Sequence, residues 1–360
     1  MRNKHFTIIT FLLLSLVLLS GCAGGAGRAA SSWPGLSADS ETVYIAYNNF
    51  VYAVNLGNGV EKWRFPLEGD NNVSYFATPI KTTDGQLLVG DYNNTLHSLN
   101  SSSGQENWAF TQATDRYIGS ALEKDGTLFA PNAGNQIYAL NANGNKLWEF
   151  ITDGPLWAQP TTNSECDCIY IPSMDHSLYA VNARSGTQEW KSEKFGGSIV
   201  GTPAISPDGM TIYVGTFGNQ VLAINSSDGS VLWEVLTDNY VWGGPVLSGE
   251  RLYATDQSGM VYSIEARTGS IGWQYETDGK ITGSPLVTED TIYIGTESGT
   301  LYAMDLDGNI RWTKQFVGKL YTTPVLGSDV ILVASTDSDE LVYALDSNGN
   351  PKWTFIPAEK

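Results

Sequence analysis

The sequence predicts an all-β chain: an eight-bladed β-propeller of four-stranded antiparallel blades. A tryptophan recurs eight times at steps of 39 to 45 residues, as Trp63, Trp108, Trp148, Trp190, Trp233, Trp273, Trp312 and Trp353. A proline precedes seven of the eight by 27 to 30 residues, at Pro34, Pro79, Pro160, Pro203, Pro245, Pro285 and Pro324, with Ser120 in that place in the third copy. Beyond residue 30 no 12-residue stretch has the 3.6-residue apolar period of a helix. Two marks keeping one period through eight copies identify a repeat architecture.

Each copy parses into four short strands. In the fifth, the first strand carries the proline in VGTPAIS, the second is the β-branched TIYVGT, the third is QVLAIN and the fourth opens at the tryptophan in LWEVL. A glycine in the third-to-fourth turn suits a hairpin that needs a left-handed residue. Nine or ten residues before each tryptophan stands a small residue: Ala53, Ser98, Ala139, Ala180, Ala223, Ser263, Ala303 and Ala344. Four strands in about 42 residues make a propeller blade. A solenoid would need distinct caps, and here the first and last copies read like the others. Closure is therefore expected blade against blade, without strand exchange. The eight tryptophans are assigned to blade docking: an indole laid in a seam removes about 150–250 Å² from water, and the small residue leaves room for it.

The N-terminus reads differently. Arg2 and Lys4 precede an apolar run over 6–19 that is too short for a comfortable membrane span, and Leu19-Ser20-Gly21-Cys22 follows, which resembles a bacterial lipobox. Residues 1–21 are read as a lipoprotein signal peptide, 22–31 as the lipidated Cys22 and a flexible tether, and 32–360 as the propeller. Acyl chains on Cys22 would anchor the protein in the cell envelope, each buried CH₂ contributing about 0.8 kcal/mol. The expected address is the outer membrane facing the periplasm in a two-membrane cell, and otherwise the outer face of the plasma membrane.

A net charge of −18 and a pI near 4.4 argue against nucleic acid. No catalytic or metal-binding residue is assigned. His97 and His176 have no ligand spacing, and DLDGN at 305–309 and DSNGN at 346–350 are read as hairpin turns rather than calcium loops. Cys166 and Cys168 are expected to be a structural feature of one blade. Extended residues two apart sit near the upper limit of Cα separation for a disulfide.

Three residues before the proline position stand Phe76, Tyr117, Trp157, Trp242 and Tyr321, with Ser31, Val200 and Thr282 in the remaining copies. The position before is mostly apolar: Tyr75, Arg116, Leu156, Ile199, Val241, Ile281 and Leu320. Strand residues alternate in direction, so one row packs between blades. The aromatic row either fills the blade wedge as well or rings the channel mouth as a binding rim for a peptide strand or planar ligand. Acids flank it in the loops: Asp70, Asp115, Asp153, Asp238 and Asp278 before the first strands, and Asp91, Asp175, Asp256, Glu297 and Asp337 after the second. They serve turn formation or a negative funnel that steers basic partners.

The pattern AxNxxxGxxxW, with YxG and TP upstream, resembles the PQQ-like repeat of quinoprotein-type propellers over residues 32–356. One branch of that family is dehydrogenases, which hold pyrroloquinoline quinone and calcium at the axis, carry a vicinal cysteine pair and have long inserted loops. Here the cysteines read CDC and the blades are minimal. The layout is closer to the BamB-like outer-membrane assembly lipoproteins, which share the lipobox, eight blades and modest length. That resemblance implies a non-catalytic, lipid-anchored protein-binding scaffold without a cofactor, with envelope proteins, barrel-assembly components among them, as partners, and a monomer outside a complex. The competing readings are a quinoprotein-type dehydrogenase and a small-ligand sensor working at the axis.

Overall fold

The computed structural model describes residues 33–163 and 166–358. The lipobox cysteine, Cys22, and Ser31 lie outside them. Among the described residues, eight sheets of four sequence-consecutive antiparallel strands span 35–65, 80–110, 122–151, 161–191, 204–236, 246–276, 286–315 and 325–355, and no strand is exchanged between sheets. In the seventh blade the strands are Leu286–Val287, Thr291–Gly295, Thr300–Asp305 and Ile310–Gln315. Burial follows strand order. The second and third strands are almost wholly buried, while the fourth alternates between exposed and half-buried positions, as in IRWTKQ of Ile310–Gln315. First strands of the fourth to seventh blades touch in succession, and that of the first blade touches that of the eighth, which puts the first strands on the inner wall of a closed ring.

The core is eight separate apolar clusters, one per seam. One joins Val43, Ile45 and Val54 of the first blade to Val330, Leu332 and Phe355 of the eighth, and another joins Val221 and Val235 of the fifth to Leu252 and Ile264 of the sixth. Each seam is closed by the repeat motif in the same way. Every motif tryptophan Nε1 donates to a backbone carbonyl in the third-to-fourth turn of the next blade: Trp63 to Ser101, Trp108 to Ala142, Trp148 to Ala183, Trp190 to Ser226, Trp233 to Ala266, Trp273 to Leu306 and Trp312 to Ser347, at 2.9–3.1 Å. Trp353 closes the circle on Leu56 O at 2.7 Å.

The turn glycine answers the indole. Its φ lies between 71° and 89° in all eight copies. A Cβ placed there would meet the previous blade's indole at 2.5–3.1 Å, as at Gly308 against Trp273 and Gly59 against Trp353. Glycine is therefore required twice over, by the left-handed turn and by the ring lying on it. The small residue sits directly across from its own blade's tryptophan, Ala303 from Trp312 for example. In six blades a second-strand Tyr or Phe meets that indole at 5.7–6.2 Å. An Asn or Asp caps most of these turns; Asp305 Oδ1 accepts the N–H of Asp307 and Asn309, and Asp346 Oδ1 that of Asn348 and Asn350.

One expectation needs correction. Trp63 is buried but the other seven indoles are half-buried, because the fourth strand is the outer edge of each blade. Each then contributes roughly 2–3 kcal/mol of apolar burial, about half of a fully enclosed ring. Cys166 and Cys168 form a disulfide, with Cα atoms 5.2 Å apart. Cys166 lies in a bend ahead of the strand Cys168–Pro172 rather than in extended chain, which brings the pair within bonding range.

Candidate functional site

The loops joining each fourth strand to the next blade share one face of the ring with the second-to-third turns. The loops are stitched down by one recurring bond. The N–H of Tyr75, Tyr117, Leu156, Ile199, Val241 and Leu320 donates to the carbonyl of the last residue of the preceding blade's second strand or the one after it, at 2.8–3.3 Å. These side chains are all buried, and Tyr117, Val241 and Leu320 lie on Gly90, Gly215 and Gly295, where a Cβ would collide with them.

Tyr117 thus belongs to the seam-filling row and not to the rim. It is 1% exposed, its hydroxyl has no partner among the described residues, and burial pushes its phenol well above the usual range. Strand register explains the slip. Leu122 pairs with Phe129 as Ala204 pairs with Tyr213, so Ala121, not Ser120, holds the proline position. By the same rule Ser37 pairs with Tyr44, and Leu36 rather than Pro34 holds that position in the first blade. The row three residues before it is therefore Trp33, Phe76, Ile118, Trp157, Val200, Trp242, Thr282 and Tyr321. Trp33, 36% exposed, stands where counting from the proline pointed to Ser31. Only the pairing register, which the proline pattern obscured, could have revealed it.

This row forms three aromatic stations. Trp33 meets Phe76 edge-on at 5.0 Å, Phe76 stacks on Tyr92 at 4.0 Å, and the Arg116 guanidinium lies 5.2 Å over Tyr92. Phe76 is only 6% exposed, because its neighbours cover it. Trp242 and Tyr240 both lean on Phe217, at 5.1 and 4.9 Å. Tyr321 carries Lys319, whose Nζ donates to its hydroxyl at 3.1 Å. Trp157, Trp242 and Tyr321 are half-exposed and Val200 is 8% exposed.

The acids of this face divide into two groups. Asp91, Asp175 and Asp256 are spent on turns. Asp256, fully buried, accepts from the N–H of Ser258, Met260 and Asn239 and from the Tyr262 hydroxyl, at 2.8–3.1 Å. Burial works against the Asp175 charge, but bonds from Tyr179 and Lys191 outweigh it and hold that carboxyl below its usual range. Asp70, Asp115, Asp153, Asp238, Asp278 and Asp337 remain exposed. His97, which takes the place of a third-strand tyrosine, bonds Asp91 at 3.2 Å and Glu106 at 2.7 Å. Burial opposes its charge, yet the two carboxylates prevail and its pKa is raised.

Among the described residues no three His, Cys, Asp or Glu side chains converge to hold a metal ion. Of the acids on this face, Asp91, Asp175 and Asp256 are committed to turn N–H groups.

The profile of the family described as Outer membrane protein assembly factor BamB matches residues 47–193, 174–284 and 257–359. The chain belongs to this family. BamB of Shewanella oneidensis is 25% identical over 146 residues, covering 37% of this chain and 36% of that protein. Tetrathionate hydrolase of Acidithiobacillus ferrooxidans is 29% identical over 102 residues, covering 28% of this chain and 20% of the enzyme. The matched stretches thus span about a third or less of these relatives' length. Among solved structures, BamB from Moraxella catarrhalis superposes with a TM-score of 0.71 at 16% identity, covering 83% of this chain and 92% of that one. The C-terminal WD40 domain of Sif2 gives 0.74 at 11% identity, covering 88% and 95%. These likenesses establish the propeller architecture that this BamB-family chain shares with them.

Proposed function

We propose that the protein is a non-catalytic, lipid-anchored scaffold of the cell envelope that uses its channel mouth to bind protein partners, in the manner of an outer-membrane assembly factor. The observation that carries this reading is the aromatic row at the mouth: Trp33, Trp157, Trp242 and Tyr321 leave large ring surface open on a rigid ring, the chemistry of interface anchors. Family membership supports the assembly role, with barrel-assembly components as partners, and the lipobox supports anchoring through Cys22.

Capture from detergent-solubilised envelopes tests it. The wild-type protein should retrieve barrel-assembly components, and Trp157→Ala/Trp242→Ala should lose them at an unchanged melting midpoint. Retrieval by the double variant as strong as by wild type would contradict the mouth as the binding face. Anchoring is tested separately: Cys22→Ser should abolish palmitate labelling and release the protein from membranes, and continued labelling would rule Cys22 out.

A second reading, an enzyme working over the axis, is favoured by the stretch shared with tetrathionate hydrolase. A raised melting midpoint with pyrroloquinoline quinone and calcium, together with dye-linked alcohol oxidation, would establish the quinoprotein form of it. Tetrathionate turnover by purified protein would establish the hydrolase form.

A further inference from the structure

We propose that the Phe217–Tyr240–Trp242 cluster is a receptor for a cationic side chain, lysine or arginine, presented by the protein partner. This rests on the mouth being a protein-binding face and adds the chemistry of what it grips.

The three aromatic stations of the mouth are not equivalent. At the first, Tyr92 is covered by the chain's own Arg116 at 5.2 Å. At the third, Tyr321 holds its own Lys319, whose Nζ bonds the hydroxyl at 3.1 Å and lies 5.6 Å from the ring centroid. At the second station Phe217 stands between Tyr240 and Trp242, and those two rings are 6.5 Å apart. Among the described residues, the cation–π contacts fall on Phe50, Tyr52, Tyr92, Tyr138, Tyr179, Phe316 and Tyr321, and none falls here. All three rings are half-exposed. An aromatic face attracts a cation through its quadrupole, and the first and third stations each hold a cation of this chain. The Phe217 station leaves it to a visitor.

Local charge agrees. Asp238 is exposed two residues before Tyr240, while Glu193 and Lys194 on the neighbouring loop cancel, and the chain as a whole is at −18. The site is also held in place. Phe217 N–H donates to Ser198 O at 2.9 Å and Tyr240 O accepts from Gln257 N–H at 3.1 Å. The floor is backbone on backbone, since a Cβ on Gly197 would lie 2.1 Å from Gly218 N. Rings fixed on such a floor spend little entropy on ordering when a ligand arrives.

The test uses the full-length protein in detergent, labelled with 5-fluorotryptophan, with the Trp242 resonance assigned by Trp242→Phe. Titration with tetramethylammonium chloride should shift that resonance saturably. Neutral tert-butanol should act about two- to fivefold more weakly, the size of one exposed cation–π contact, and sodium chloride not at all. Tyr240→Leu should weaken the ammonium response; Phe217→Leu serves as a second variant if its melting midpoint holds. An equal response to tert-butanol, no saturable response, or one unchanged in Tyr240→Leu would overturn the inference. Loss of envelope partners in Trp157→Ala/Trp242→Ala alongside a null ammonium titration would sink this inference and leave the binding face standing.

Discussion

The seam between blades rests on two atoms' worth of geometry: an indole Nε1 and the hydrogen of a glycine Cα. Trp273→Ala removes a half-buried ring and its bond to Leu306 O, and should cost about 3 kcal/mol, the low end for a large aromatic. Trp273→Phe keeps most of the surface and loses the bond, for about 1 kcal/mol. Gly308→Ala adds a methyl at φ +89° against the ring, 2.8 Å from its nearest atom, and should cost at least 1–2 kcal/mol from the left-handed turn alone. Chemical denaturation measures all three; an unchanged midpoint in Trp273→Ala would remove the indole from the account. His97 makes a different claim. Its raised pKa means that the charged ring stabilises the folded state fully below the unfolded value of about 6.5, and that this contribution disappears as pH rises through the higher folded value. The stability gap between wild type and His97→Leu should therefore narrow on going from pH 5.5 to pH 9. A gap that is flat or widens would contradict the ion pairs with Asp91 and Glu106.

A blade is defined by its hairpins, and these were largely legible. The small residue, the Asn or Asp, the glycine and the tryptophan of the motif each proved to have one mechanical task, and their spacing alone located the third-to-fourth hairpins. The first strands were less legible because they are short, two residues in Leu286–Val287, and because proline is only one way to fill that position. Leu36 and Ala121 fill it equally well, so counting from Pro34 and Ser120 slipped the register and misplaced Trp33 and Tyr117. The acids were legible as residues but not as roles, since a turn acid and a surface acid look alike until partners are known. Tyr262→Phe separates these roles for Asp256. It deletes the hydroxyl that bonds the buried carboxylate at 2.8 Å and accepts the Asp238 N–H at 2.8 Å. The cost should be about 2 kcal/mol, from leaving a buried charged group short of a donor. A variant as stable as wild type would mean that Asp256 is solvated after all.

For the molecule as a whole, closure is the feature on which rigidity depends, and it joins residues at opposite ends of the sequence. Trp353 lies on Gly59 and bonds Leu56 O, while the Thr322 hydroxyl donates to Pro34 O at 2.8 Å. A double-mutant cycle between Gly59→Ala and Trp353→Ala should show coupling of the same order as that between Gly308→Ala and Trp273→Ala, about 1 kcal/mol or more. Independent effects at the 59/353 pair would open the ring. A closed ring fixes the mouth as one face with aromatic stations around a common axis, and it is this face to which protein binding is assigned. A photo-crosslinking amino acid placed at Thr282, a half-exposed rim position, tests that assignment in intact cells, with Thr313 on an outer strand as the reference site. The rim position should yield a covalent adduct with an envelope protein that the outer position does not. Adducts from Thr313 alone, with none from Thr282, would place the partner on the circumference and contradict the mouth as the binding face.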